Sequence, residues 1–342
     1  MQRSEQHQLR FALVGAGGIA QTHLQAFPGV ASASLVAVVD TRREATEAVA
    51  ASYGCQSFDT VDQMLDSTEI DAAIVSTPPS THPEICMRLA RAGVHVLCEK
   101  PLAVDRVAAR AMIDTAKRCG TILTMASKFR YVSDMVYTRQ LITSGVLGEI
   151  MLFENTFAGH VDMSRRWNSV SEISGGGVLI DNGTHSVDIL RYLLGPIRMI
   201  QAVEARRIQG LGVEDTVRLL AKTTGGAIAA VDLSWSINKQ TPWYVSVYGT
   251  EGTALVGWGE SKYKRNVDRD WTVFGSGYQK VQAFTDQLKN FCNAILGNEQ
   301  LLISYEDAIA SVEVIDHAYE SLRNDHWVSI PEHDQMVDAS LQ

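Results

Sequence analysis

Cysteine is scarce in this 342-residue chain: Cys55, Cys86, Cys98, Cys119 and Cys292 are odd in number, scattered and never spaced C-x-x-C. That excludes a disulfide framework or a zinc knuckle, points to a reducing compartment, and leaves the thiols with no expected chemistry. Long apolar runs are missing too. None approaches the ~18 residues of a membrane span, and the opening MQRSEQHQLR has no signal-peptide core before it runs into a strand pattern. A soluble, unprocessed, cytoplasmic protein with no membrane partner is expected. Basic charge is in deficit, with 30 Lys and Arg against 39 Asp and Glu for a net charge of −9. This is the opposite of an electrostatic footprint for nucleic acid. Proline (8) and glycine (26) are too few for a disordered or collagen-like chain, and 46% hydrophobic with 20% charged residues is a globular composition. At roughly 100–200 residues per domain, the length suits two domains.

What is present is a change of pattern near residue 130. Before it, short β-branched apolar runs alternate with helical periodicity, which predicts a doubly wound parallel sheet of the Rossmann type. Strands are expected at Arg10–Val14, Leu35–Asp40, Cys55–Phe58, Asp71–Ser76, His95–Glu99 and Ile122–Ala126, with helices near 18–27, 42–53, 60–66, 81–92 and 103–119. After it come a helix (Asp134–Ser144), a strand (Glu149–Phe157), an irregular stretch to Gly177 and a helix (Gly183–Leu194). Strand candidates follow at Met199–Arg207, Asp215–Thr223, Ala227–Ser236, Trp243–Gly249 and Gly252–Trp258, then helices at Gln279–Leu296 and Tyr305–Arg323. These predict an α+β domain with an open, mostly antiparallel sheet. The division expected is 1–130 for the nucleotide-binding domain and 131–342 for a substrate-binding and oligomerisation domain. The polar tail after Pro331 is expected to fray.

Gly15-Ala16-Gly17-Gly18-Ile19-Ala20 follows the first strand and opens a helix, which fits G-x-G-x-x-A. Gly15 permits the tight turn, Gly17 admits a pyrophosphate close to the backbone, and Ala20 lets helix pack on strand, while the helix N-terminus attracts phosphate. Asp40 ends the second strand about twenty residues on, where a carboxylate accepts hydrogen bonds from a ribose 2′-hydroxyl and repels a 2′-phosphate. NAD is therefore favoured over NADP, although Arg42 and Arg43 could pair with that phosphate. Ligands of such sheets bind outside the carboxyl ends of the strands. Two segments end there with unusual chemistry: Ser76-Thr77-Pro78-Pro79 with His82, and Cys98-Glu99-Lys100-Pro101.

These segments, together with Gly175-Gly176-Gly177-Val178-Leu179-Ile180-Asp181-Asn182-Gly183-Thr184-His185, resemble the Gfo/Idh/MocA family of oxidoreductases over nearly the whole chain. The resemblance implies a catalytic cluster of Lys100, Asp181 and His185 beside the nicotinamide. It also implies a homodimer or homotetramer built on the flat face of the second sheet.

Read physically, Asp181 and His185 lie four apart across a helix start and share a face. An imidazole with an ordinary pKa near ~6.5 suits general-base removal of a hydroxyl proton. His185 is thus the first-choice base, Lys100 is expected to stabilise alkoxide charge or to exchange the base role with His185, and Asp181 to orient the substrate or the imidazole. Lys128, Arg130, His160, Trp167, Asn168 and Asn182 are the further candidates for a polyol pocket, and Arg165-Arg166 is a candidate anion grip. No third or fourth ligand suggests a metal. The activity expected is an NAD-dependent dehydrogenase of a sugar, cyclitol or sugar derivative, nucleotide-linked sugars included. The alternatives are a glycosidase working by transient oxidation and a non-catalytic dinucleotide-binding regulator.

Overall fold

The computed structural model describes residues 8–239 and 241–331; the N-terminal seven residues and the polar tail after Pro331 lie outside them. The chain forms two compact units. The first takes the described residues up to Ala103, with Val107–Lys128 and Lys280–Tyr305. The second takes Val104–Arg106, Phe129–Gln279 and the described residues from Glu306 onward.

In the first unit β1 (Leu9–Val14), α1 (Gly18–Ala26), β2 (Ala33–Val39), α2 (Arg43–Tyr53), β3 (Gln56–Phe58), α3 (Val61–Ser67), β4 (Ala72–Val75), α4 (His82–Arg91), β5 (His95–Glu99), α5 (Arg106–Cys119) and β6 (Leu123–Ala126) alternate as expected. Strands β1, β4, β5 and β6 are buried along nearly their whole length, as parallel strands covered on both faces must be. All pairings are parallel, in the order β3-β2-β1-β4-β5-β6. The direction of winding reverses between β1 and β4, so the ligand crevice of such a sheet lies outside their carboxyl ends. The glycine turn follows β1 and Ser76-Thr77 follows β4.

The second unit contains α6 (Ser133–Thr143), β7 (Ile150–Ala158), α7 (Ser171–Ser174), α8 (Val178–Leu194), β8 (Ile197–Glu204), β9 (Thr216–Thr223), β10 (Ile228–Ser234), β11 (Trp243–Gly249), β12 (Gly252–Gly257), β13 (Ser261–Arg265) and β14 (Thr272–Gly275). Helix α9 (Lys280–Ile295) then belongs to the first unit, and α10 (Tyr305–Asn324) and β15 (Val328–Ser329) close the described chain. The nine strands run β14-β13-β12-β11-β7-β10-β9-β8-β15, antiparallel except for the β7–β10 pair. In β9 burial alternates residue by residue, the mark of a sheet covered on one face, and α8 packs across β7, β9 and β10.

Three differences from the expected elements have physical causes. Strands β13 to β15 escape periodicity because β13 is SKYKR, four of its five residues polar, while β14 and β15 are four and two residues long. Helix α8 begins at Val178 rather than Gly183. Gly183 is no boundary but a contact, since a Cβ there would sit 3.2 Å from Leu233 on β10 and 3.3 Å from Ile315 on α10. Finally, residues 280–305, left with the second domain by the change of pattern, pack in the first unit. The apolar stripe Ala283, Phe284, Leu288, Phe291 and Cys292 of α9 joins the core of Phe11, Leu24 and Phe27, with Phe291 edge-on to Phe11 at 6.1 Å. Phe291→Ala is expected to destabilise the first unit by about 3–5 kcal/mol, read as a lower urea midpoint. A change below about 1 kcal/mol would deny α9 its place in this core.

Candidate active site

The turn after β1 is built by close approach. Gly15 has φ of 93°, in the left-handed region, and a Cβ there would lie 2.8 Å from the carbonyl of Ser76. Ser76 seals the contact by donating its hydroxyl to the Gly15 carbonyl at 2.8 Å, so that group serves the turn itself. Around Gly17 and Gly18 the reverse holds, because a Cβ at either would meet nothing within 4 Å. No side chain caps α1 at Gly17, half-buried Ile19 sits in the first turn, and Ala20 is buried on the core side. The result is an open cradle of backbone at a helix N-terminus, with the N–H groups of the first turn left for an anion. Asp40 stands beside it. Its Oδ2 accepts the Ala16 N–H at 2.8 Å and its Oδ1 the Arg42 N–H at 2.8 Å, while the Arg42 guanidinium closes on both oxygens at 3.1 Å. Partial burial pushes this carboxyl up, but the hydrogen bonds from Arg42 and Ala16 outweigh it and hold it below the usual carboxylate range. Arg43 instead pairs with Glu47 along exposed α2.

The turn carrying Lys100 is braced by two buried histidines. His82 is fully buried, with Nε2 2.9 Å from the Thr77 carbonyl and Nδ1 3.0 Å from that of Pro101. It therefore ties the Thr77-Pro78 loop to the Lys100-Pro101 turn rather than offering itself to a ligand. Burial pushes its imidazole below the usual histidine range. His23 of α1 lies 2.8 Å from Glu99 Oε1, and Glu99 Oε2 accepts the Lys100 backbone N–H at 3.1 Å. Lys100 itself is half-buried at the carboxyl end of β5. Lys128, in the turn after β6, holds its ammonium 5.9 Å from the Phe284 ring centre.

In the second unit Asp181, Asn182 and His185 all lie within α8, not across its start. The helix owes that start to Glu214, which precedes β9. The Glu214 carboxylate accepts the N–H groups of Gly177 (2.9 Å) and Leu179 (3.1 Å) and the Tyr319 hydroxyl (2.8 Å), and its main-chain carbonyl takes the Val178 N–H at 2.9 Å. Burial pushes this carboxyl above the usual range. The glycine run is explained by the same contacts: a Cβ on Gly177 would strike the Glu214 carbonyl, and one on Gly176 the Tyr319 hydroxyl. The close backbone approach that these glycines permit is therefore made by the protein to itself. His185 is buried, edge-on to Phe129 at 5.1 Å and to Phe157 at 6.4 Å. Phe157 stacks on Tyr244 and Phe129 lies tilted against it, and the buried Tyr244 hydroxyl has no hydrogen-bond partner. Asn182 spends its amide on the Phe157 carbonyl at 3.3 Å.

The remaining candidates divide. His160, Trp167, Arg165 and Arg166 are exposed and Asn168 half-buried, all on the loop after β7. Arg130 is not available to a pocket. It is 3% exposed and makes a fork to Asp188 (2.7–3.1 Å) and a contact to Asp307 (3.1 Å), under the Tyr192 ring. Asp188 lies three residues beyond His185 on the same helix, so the guanidinium anchors α8 from beneath. Among the described residues no group of three or more His, Cys, Asp or Glu side chains could hold a metal ion, and no helix is long and apolar enough to cross a membrane.

Residues 9–127 match the family model described as oxidoreductase family, NAD-binding Rossmann fold, and residues 135–255 match that of the GFO/IDH/MocA C-terminal domain. The chain belongs to the Gfo/Idh/MocA oxidoreductase family. It is 28% identical to the inositol 2-dehydrogenase of Rhizobium meliloti (strain 1021), over 94% of this chain and 99% of that protein. To the rhizopine catabolism protein MocA of Rhizobium meliloti it is 29% identical, over 92% and 96%. Its fold is that of levoglucosan dehydrogenase solved with NADH, at TM-score 0.88, 22% identity and 95% and 99% coverage. The WlbA dehydrogenase from Bordetella pertussis, solved with NADH and UDP-GlcNAcA, superposes at 0.83 with 22% identity over 95% and 98%.

The NAD-binding domain of this Gfo/Idh/MocA protein fits its cofactor on its own geometry. The open cradle at Gly17 and Gly18 would hold the pyrophosphate, and the Asp40 carboxylate, kept ionised, would take ribose hydroxyls. The residues around the site that local sequence did not reveal are His23, Glu214, Tyr319 and Tyr244. The first three act through partners far away in sequence, and Tyr244 looks like any strand aromatic until its hydroxyl is found buried. The account of Arg130 is testable. Arg130→Ala removes the forked cation from buried Asp188 and leaves Asp307 its longer contact to Arg191 (3.6 Å), and is expected to cost about 3–5 kcal/mol of stability. A raised KM with unchanged thermal stability would return Arg130 to the substrate pocket.

Proposed function

We propose that this chain is an NAD-dependent dehydrogenase moving a hydride between the nicotinamide and a hydroxyl-bearing carbon of a sugar, cyclitol or sugar derivative. The observation that carries the reading is the Asp181–His185 stripe on α8, set among the Phe129, Phe157 and Tyr244 rings with one buried hydroxyl unpartnered. Aromatic walls with a few polar groups suit a polyhydroxylated ring, and a histidine among them suits proton transfer. Relatives named for inositol, D-glucoside and levoglucosan oxidation support the substrate class.

NAD, when bound, supplies the hydride acceptor. The protein's own residues then handle the proton and the charge: His185 takes the hydroxyl proton on its imidazole, Asp181 orients the imidazole or substrate, and Lys100 stabilises alkoxide charge. Asp181 can serve His185 because one helical turn separates them. Asn182, Lys128, His160 and Trp167 are the further substrate contacts of this reading, and Thr77, Pro78, Glu99 and Pro101 line the cofactor. Arg130 is withdrawn from the contacts and His82 from the lining, for the buried bonds given above. The cytoplasm remains the assigned compartment. The open face of the second sheet would pair two copies, since Tyr248, Leu152 and Ile228 form a partly exposed row across β11, β7 and β10.

A screen of sugars and cyclitols with NAD, read as NADH absorbance, tests the activity. One or more are expected to yield NADH in step with product. Lys100→Met and His185→Ala should each lower turnover by about 10²–10⁴-fold while NAD still binds. Normal turnover by the double variant would defeat the reading, and release of an aglycone with no net NADH would replace it with transient-oxidation glycosidase chemistry. For cofactor choice, Asp40→Ser frees Arg42 for a 2′-phosphate, so the ratio of NADP to NAD use should rise at least about tenfold. An unchanged ratio removes Asp40 from that role.

A further inference from the structure

One buried titratable side chain has no part in the reaction as written. His23 lies on α1, the helix whose first turn forms the dinucleotide cradle, and is 1% exposed. A histidine in such a place must satisfy its ring nitrogens within the protein. Its Nε2 reaches Glu99 Oε1 at 2.8 Å, and its ring is held edge-on to Phe284 of α9 at 4.7 Å. Glu99 is itself buried, and its second oxygen takes the backbone N–H of Lys100. One carboxylate thus joins the cradle helix to the residue assigned alkoxide stabilisation.

We propose that His23 is a positioning residue for Lys100, acting through Glu99: its Nε2 holds the carboxylate in place, so that the Lys100 turn is fixed and its ammonium keeps a negative neighbour. The inference rests on the role given to Lys100 above. The titratable groups facing Glu99 are His23 from α1, His82 from α4, Lys128 from the turn after β6, and Lys100 and Cys98 of its own segment. Burial pushes the Glu99 carboxyl up, but His23 first, then Lys128 and Lys100, bring it below the usual carboxylate range. Without the His23 donor a buried carboxylate is one hydrogen bond short and binds a proton at higher pH. Once Glu99 is neutral, Lys100 loses an opposite charge and releases its own proton at lower pH. A histidine serving only to fill the core would leave the ionisation of Lys100 where it is.

The test uses the full chain and needs no substrate. Amine acetylation as a function of pH, read peptide by peptide by mass spectrometry, reports the deprotonation midpoint of Lys100, with exposed Lys280 as internal control. His23→Leu, which keeps the bulk and removes the nitrogens, should lower the Lys100 midpoint by about one pH unit and leave Lys280 unmoved. Glu99→Gln should reproduce that shift, and the double variant should add nothing further. His23→Asn, which retains a donor, should restore part of it. With a substrate from the screen, His23→Leu should lower kcat about tenfold with KM little changed and the basic limb of its pH profile displaced downward. An unmoved Lys100 midpoint in folded His23→Leu overturns the proposal, and if that variant does not fold, an unmoved midpoint in Glu99→Gln does so. Full activity in Lys100→Met would instead sink the assigned role of Lys100 and leave the labelling result standing.

Discussion

Burying a carboxylate without partners costs several kcal/mol, and the placement of both sets of reactive residues depends on how three such groups are satisfied. Glu99 is held by His23, Asp188 by Arg130, and Glu214 by two backbone N–H groups and Tyr319. Each pairing spans distant sequence, from 35 residues for Leu179 and Glu214 to 105 for Glu214 and Tyr319. The functional elements cannot drift without exposing or orphaning a charge. Helix α8 is pinned twice by this means, at its start through Glu214 and one turn past His185 through Asp188, so the Asp181–His185 stripe has a fixed rotation about the helix axis.

Small residues do the complementary work. Gly15 admits the end of β4, Gly177 admits Glu214, and Gly183 lets α8 lie between the sheet and α10. Gly17 and Gly18, by contrast, face open space. Three glycines are therefore consumed by packing of the chain on itself, and the two that are not lie where a helix N-terminus lacks a side-chain cap. A site for an anion emerges from what packing leaves unfilled rather than from glycine content as such.

The contrast explains what could be read from sequence. The first sheet was legible because its signals are local: apolar β-branched runs, a glycine turn at a strand end, an acid at the next strand end. Lys100, Asp181 and His185 stood out through a family resemblance, and the family is confirmed over both domains. The start of α8 was misread because its cap comes from beyond β8 and because Gly183 mimics a boundary. Arg130 looked like a pocket residue because an arginine carries no local sign of its partners, and Asp188 and Asp307 lie 58 and 177 residues away. Helix α9 was recognised as a helix but not as part of the first core, since its amphipathic pattern fixes a buried face and not what covers it. His23 was invisible for the same reason, its meaning residing wholly in Glu99.

These placements also bear on selectivity in the proposed reaction. Arg130, whose partner Asp188 lies three residues beyond His185, is neutralised by two carboxylates, so the buried wall of the second unit offers rings, an imidazole and a hydroxyl but no uncommitted guanidinium from that source. An anionic substituent would have to be met by exposed loop cations such as Arg165 and Arg166, where water and salt weaken the attraction. Hydroxyl groups would be met by buried donors and acceptors, and a buried polar group left unpaired by the wrong isomer exacts its full desolvation cost. Discrimination should therefore be sharper among hydroxyl configurations than between neutral and charged substituents on the same ring.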